Sequence, residues 1–163
     1  MSNDGPALRL YIPRPEDGWF YVRMMSDPAT MAYNAPWFPP DGCIPNAAEA
    51  WDNICASWIG RVPERFYAYL QREDGVFVGD VCFYVTGREG ERMIGIVIHS
   101  AYRGMGYSEE GLRLLIGRAF SHKEICSLRN EFEVHRKAAL HIHEKAGFAV
   151  RITGEDAVLT LKR

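Results

Sequence analysis

Several things are missing from this chain, and each absence removes a class of protein. Its four cysteines (Cys43, Cys55, Cys82, Cys126) are scattered, and no two are spaced C-x-x-C. A zinc site therefore has no support, and a disulfide framework does not suit a chain of 163 residues that lacks a secretion signal. The opening MSNDGPALRLYIP has neither the basic start nor the apolar run of such a signal. No apolar stretch approaches the ~20 residues of a membrane helix. The cytoplasm, with reduced thiols and no membrane partner, is the expected compartment. Nor is there a basic excess: 19 Lys and Arg against 21 Asp and Glu leave a net charge of -2, mixed along the chain. Binding to a nucleic acid backbone is excluded on that ground. No metal is called for.

What remains is an ordinary soluble composition, 47% apolar and 25% charged, of a length that suits one domain over residues 1–163. Leu8, Leu10 and Ile12 alternate with Arg9 and Tyr11, predicting a strand at residues 7–13. Pro15-Glu16-Asp17 opens a helix that runs to Ser26 and stops at Asp27-Pro28. Residues 31–45 hold four prolines and are irregular. Asn46, with Glu49 three residues on, reads as the N-cap of a second helix. Its face of Trp51, Ile54, Cys55, Trp58 and Ile59 has the spacing of core packing.

Three strand-like runs follow, at 65–72, 76–86 and 93–99, separated by short glycine-bearing gaps that predict an antiparallel meander. A helix at 108–120 leads to an alternating strand at 128–134, with Leu128, Asn130, Phe132 and Val134 on one side. A helix at 136–146 ends at Gly147, and strands at 148–153 and 157–162 complete the chain. This order predicts an α+β domain with a mixed, mainly antiparallel sheet of about six to seven strands and about four helices. The strands around the late helix crossovers should run parallel.

The stretch AYRGMGYSEE sits between the apolar MIGIVI and an amphipathic helix. Strand, glycine turn and helix start together aim backbone N–H groups at an anion. Gly104 and Gly106 permit close approach, Arg103 adds a charged donor, and Ser108 is placed to cap. On these residues alone, a phosphate cradle and a well-capped turn are equally good readings. Glu109 stands where G-x-G-x-x-G needs its third glycine, and no G-K-[ST] occurs, so nucleotide-binding loops of those kinds do not fit.

RGMGYS resembles the [QR]-x-x-G-x-[GA] pyrophosphate turn of the GNAT acyl-CoA N-acetyltransferases, with Ser108 in place of the last small residue. RKAALHIHEKAGF resembles that family's N-x-x-A-x-x-L-Y-x-K-x-G-F, matched at Ala139, Lys145, Gly147 and Phe148. The departures are Arg136 for asparagine and His143 for tyrosine, the latter closer to the RimL-like branch. The resemblance covers essentially the whole chain and implies a GNAT-like fold.

It also implies acetyl-CoA as co-substrate, held by Ile96, Val97, Ile98, Arg103, Gly104, Met105, Gly106, Tyr107, Ser108, Arg136, Ala139 and His143. Direct transfer to a primary amine is implied too, the acceptor being a small amine or a protein N-terminus. Tyr33, Trp37 and Phe38 would line its pocket, and rings there suit an apolar or cationic acceptor. Candidates for proton handling are Asp80, His99 and His143, the last as acid towards the leaving thiolate. Glu133 and Arg136 are close enough in sequence to pair. A non-catalytic acyl-CoA-binding or sensing module of the same fold is the alternative, and a homodimer is compatible with either.

Overall fold

The computed structural model describes residues 7–163. Seven strands form one sheet: β1 (Leu8–Tyr11), β2 (Arg65–Arg72), β3 (Phe77–Val85), β4 (Glu91–Ile98), β5 (Ser127–Glu133), β6 (Ala149–Thr153) and β7 (Asp156–Lys162). Their spatial order is β1-β2-β3-β4-β5-β7-β6. Every neighbouring pair is antiparallel except β4 and β5. The predicted meander is β2-β3-β4. The helix crossover between β4 and β5 makes those two parallel, and β6 runs in the direction of β5 with β7 inserted between them.

The helices are α1 (Gly18–Met25), α2 (Pro28–Met31), α3 (Ala47–Ser57), α4 (Tyr107–Phe120) and α5 (Lys137–Lys145). The predicted helix at 15–26 is a 3-10 turn at Pro15–Asp17 followed by α1. The irregular stretch begins with helical structure of its own: α2 and a 3-10 turn at Ala32–Asn34. Two expected caps are absent. Asn46 has φ 57 and makes no capping bond, because capping requires an extended backbone and this residue is left-handed. Ser108 lies inside α4, whose N-cap is Gly106 at φ 82.

The end of α5 has the glycine stop that its sequence predicts. Gly147 has φ 102, its N–H donates to Glu144 O at 3.0 Å, and Phe148 N–H donates to His143 O at 3.0 Å. That pair of bonds is a Schellman motif.

The central strands are buried on both faces. From β2, Phe66, Ala68 and Leu70 enter a core with Leu112 and Leu115 of α4, while Tyr67 and Tyr69 face Phe20 and Trp51 of α1 and α3. The position of β4 depends on one small residue in β3. A Cβ on Gly79 would lie 2.2 Å from Val97 O, too close for any carbon. Gly79→Ala is therefore expected to push β4 outward and cost about 1–3 kcal/mol, read as a lower Tm in thermal denaturation.

Candidate active site

β4 and β5 pair at only three positions, Glu91 with Ser127, Arg92 with Leu128 and Met93 with Arg129. Beyond them the strands separate. The far half of β4 keeps its bonds to β3, so alternate backbone groups on its other edge have no strand to pair with. Buried groups of that kind need partners from water or a ligand.

The separation opens a cleft of about 610 Å³, walled by Gly95 to Ile98 of β4, Asn130 to Phe132 of β5 and the first turns of α5. Tyr33 stands on a third side, and Arg103, Gly104 and Ser108 close one end. Of the expected residues the cleft gathers Ile96, Val97, Ile98, Arg103, Gly104, Ser108, Arg136, Ala139, His143 and Tyr33. Met105, Gly106 and Tyr107 belong to the turn without lining the cleft, and Met105 is exposed. Trp37 and Phe38 do not line it either; both are exposed on the loop after Tyr33.

The glycine turn is built for its backbone. Gly104 has φ 76, and a Cβ there would touch nothing, so conformation rather than space selects glycine. Among the described residues, no main-chain N–H of residues 104–109 has a hydrogen-bond partner. A helix start with free amides and no side-chain cap is a site for an anion. Arg103, expected to face that anion, donates instead to Ala29 O and Thr30 O, both at 2.8 Å.

The three titratable candidates have different surroundings. His143 is 1% exposed, with its ring between those of Phe132 and Phe148 at 5.3 and 5.1 Å. Nδ1 lies 2.7 Å from Ala139 O and Nε2 lies 3.1 Å from Asn130 Nδ2. The arrangement fits a neutral ring that donates from Nδ1 and accepts at Nε2, and burial pushes its pKa down. Asn130 had a sequence signal, a polar residue on the apolar side of its strand.

His99 is buried outside the cleft. Its Nδ1 accepts from Ala101 N–H at 3.1 Å, and its Nε2 lies 3.6 Å from Asp27 Oδ2. Burial, then Arg23, lowers its pKa, and Asp27 opposes them.

Asp80 lies on β3 directly opposite Val97, on the α1 and α3 side of the sheet. Tyr67 Oη donates to its Oδ2 at 2.5 Å. Burial pushes the carboxyl up to about 7, and the Tyr67 bond works against that rise. Tyr21 and Tyr33 lie close enough to feel its charge, which adds to the burial that takes each to about 12.

Arg136 is not paired with Glu133. Its backbone N–H donates to Glu133 O at 3.0 Å, while its guanidinium sits 4.9 Å from the Tyr33 ring centre and 5.1 Å from that of Phe132. Aromatic faces hold a planar cation well, and no carboxylate is needed. Among the described residues, no three His, Cys, Asp or Glu side chains gather as a metal site, and no helix is long and apolar enough to cross a membrane.

A sheet parted between two parallel strands, with a turn of free amides at one end, can take an extended ligand that carries an anionic group. The chain belongs to the GNAT acetyltransferase family: a family model described as an acetyltransferase (GNAT) domain matches residues 7–149. Comparison with curated proteins finds no match.

Similar solved structures include a spermidine N-acetyltransferase from Vibrio cholerae in complex with CoA and spermine, at 14% identity and TM-score 0.78, covering 95% of each chain. An acetyltransferase of the GNAT family from Bacillus anthracis follows at 15% identity and TM-score 0.76, covering 98% of this chain and 96% of its own. Mycobacterium smegmatis RimJ, in complex with CoA-disulfide, has 15% identity and TM-score 0.74, covering 97% of this chain and 83% of its own. At such identities the likeness establishes the fold.

Asp80 gives a pH signature. An unfolded chain ionises this carboxyl near 3.8, while the folded protein keeps it protonated up to about 7. Between those values the folded state binds more protons, so this group's contribution to stability falls as pH rises from about 4 to about 7. His99 and His143 act oppositely, since each disfavours the folded state as pH drops below 6.5. Asp80→Asn keeps an oxygen for Tyr67 and removes the titration. Denaturant unfolding at pH 5 and pH 8 should show the variant gaining on the wild type at the higher pH.

Proposed function

We propose that this chain is an acetyl-CoA-dependent N-acetyltransferase of the cytoplasm, which moves the acetyl group directly to a primary amine. The observation that carries this reading is the free edge of β4 ending in a turn of unpaired amides. One end offers strand-like bonding to an extended chain, and the other offers donors to a pyrophosphate. Acetyl-CoA has both parts, and its thioester supplies the activated acyl group. The relative solved with CoA and spermine supports an amine as the acceptor.

In this reading the amides of residues 104–108 take the pyrophosphate. The backbone of Ile96 and Ile98 bonds the pantetheine amides, and a backbone N–H near Val97 polarises the thioester carbonyl. Ala139 and Arg136 border the same slot. Tyr33 faces the acceptor, with Trp37 and Phe38 meeting any part of it that extends beyond the cleft. Positioning supplies most of the rate, because a bound amine beside a bound thioester no longer has to find it.

The amine must shed a proton, and the departing thiolate must gain one. Asp80 is the fitting proton acceptor on the acceptor side, reached through water because it does not line the cleft. His143 has both nitrogens engaged, which leaves it the role of shaping the wall rather than protonating the thiolate. His99 is likewise occupied, away from the cleft.

Those two engaged histidines favour a second reading, an acyl-CoA-binding or sensing module without catalysis. One pair of measurements separates the readings. Acetyl-CoA at 100 times its dissociation constant should stabilise the protein by about 2.7 kcal/mol, a clear rise in Tm. Thiol release against a panel of primary amines should then be saturable. A thermal shift without thiol release from any amine would leave the binding module, and no shift with acetyl-CoA or CoA would end both readings.

A further inference from the structure

One heavily bonded carboxylate, which does not itself line the cleft, has no part in the transfer as described. Asp27 precedes α2, and its Oδ2 accepts from Thr30 N–H at 3.2 Å, Thr30 Oγ1 at 2.5 Å and Ser100 Oγ at 2.6 Å. Thr30 Oγ1 in turn accepts from Ser100 N–H at 2.9 Å. Ser100 lies in the short segment between β4 and the glycine turn, and Arg103 crosses back from that turn to the carbonyls of Ala29 and Thr30. Two separate sets of bonds thus tie α2 to the pyrophosphate turn. The two hydroxyl donors hold Asp27 ionised, well below the usual carboxylate range, at about 2.

The chain leaving α2 continues the connection. Its next turn, Ala32–Asn34, carries Tyr33 into the cleft, where the ring stacks on Arg136. The same guanidinium also lies over the ring of Phe132 of β5, 5.1 Å from its centre. The contacts run from the turn after β4, through Ser100 and Asp27, along α2 to Tyr33, and over Arg136 to β5. They bridge the gap that the strands themselves leave open.

We propose that Asp27, with Ser100 and Thr30, is a positioning group. It transmits occupancy of the glycine turn to Tyr33 and Arg136, so that seating the donor's pyrophosphate orders the acceptor side of the same cleft. The proposal rests on the acetyl-CoA reading above. Asp27 touches neither substrate; it acts by holding α2 in register with the turn. Each bond of this kind is directional and short, so the loss of one lets α2 and the turn move independently.

Amide hydrogen exchange on the purified protein, with and without CoA, tests this. In the wild type, CoA should slow exchange over residues 103–109 and also over residues 28–34. In Ser100→Ala, CoA should still protect the turn, because the amides of residues 104–108 are unaltered. Protection of residues 28–34 should disappear. Thr30→Ser, which keeps the hydroxyl, should behave as the wild type, whereas Thr30→Val should behave as Ser100→Ala.

A merely structural role would lower Tm in Ser100→Ala and leave the spread of protection unchanged, and that result overturns the proposal. Protection confined to the turn in the wild type overturns it as well. A wild-type protein that binds no CoA at all is a different failure, because it removes the acetyl-CoA reading on which the proposal rests.

Discussion

The early end of pairing between β4 and β5 is the constraint on which the rest depends. After Met93 and Arg129 the strands part, and a continuous sheet becomes a sheet with a slot in it. A slot exposes main-chain donors and acceptors that a sheet normally satisfies, which is unfavourable unless something else bonds them. The slot survives because each wall is anchored independently. β4 is held along its length by β3, and β5 is held by all seven of its registered positions on β7. Gly79 allows β3 to approach the carbonyl of Val97 closely enough to keep that wall in place.

Around the slot, buried polar groups divide by how completely they are bonded. His143 has partners at both nitrogens, His99 accepts from Ala101 N–H at Nδ1 and has Nε2 3.6 Å from Asp27, and burial lowers the pKa of each. Asp27 is fixed in the opposite sense, as an ionised acceptor of several donors. Asp80 is different. It is buried with one strong donor, and burial raises its carboxyl to about 7. A residue type visible in sequence says little about which of these states it will occupy.

Much of the fold could be read from local pattern. β2 at residues 65–72 and the glycine end of α5 came out as expected, because alternation and a positive-φ glycine are properties of a few adjacent residues. The glycine turn before α4 was legible for the same reason. Its capping was not. Gly106 starts α4 in a left-handed conformation, which places Ser108 inside the helix and leaves the first amides free. Asn46 failed as a cap because its own backbone is left-handed. Asn130 could have been noticed as a polar residue on an apolar face, but its partner His143 is a helix away in the chain.

By itself the sequence determined the order of elements apart from the short α2, the α+β class, the glycine turn and the pair of motifs that resemble one family. Those depend on spacing between near neighbours, which sequence displays directly. Only the tertiary structure decided which side chains meet. It directed Arg103 to the carbonyls of Ala29 and Thr30 and set Arg136 against the rings of Tyr33 and Phe132 instead of beside Glu133. It also gave His99 and His143 backbone partners for their Nδ1 atoms and set Asp80 against the Tyr67 hydroxyl. These outcomes rest on contacts between distant segments, and the strength of a charge or a hydrogen bond depends on the burial those contacts create.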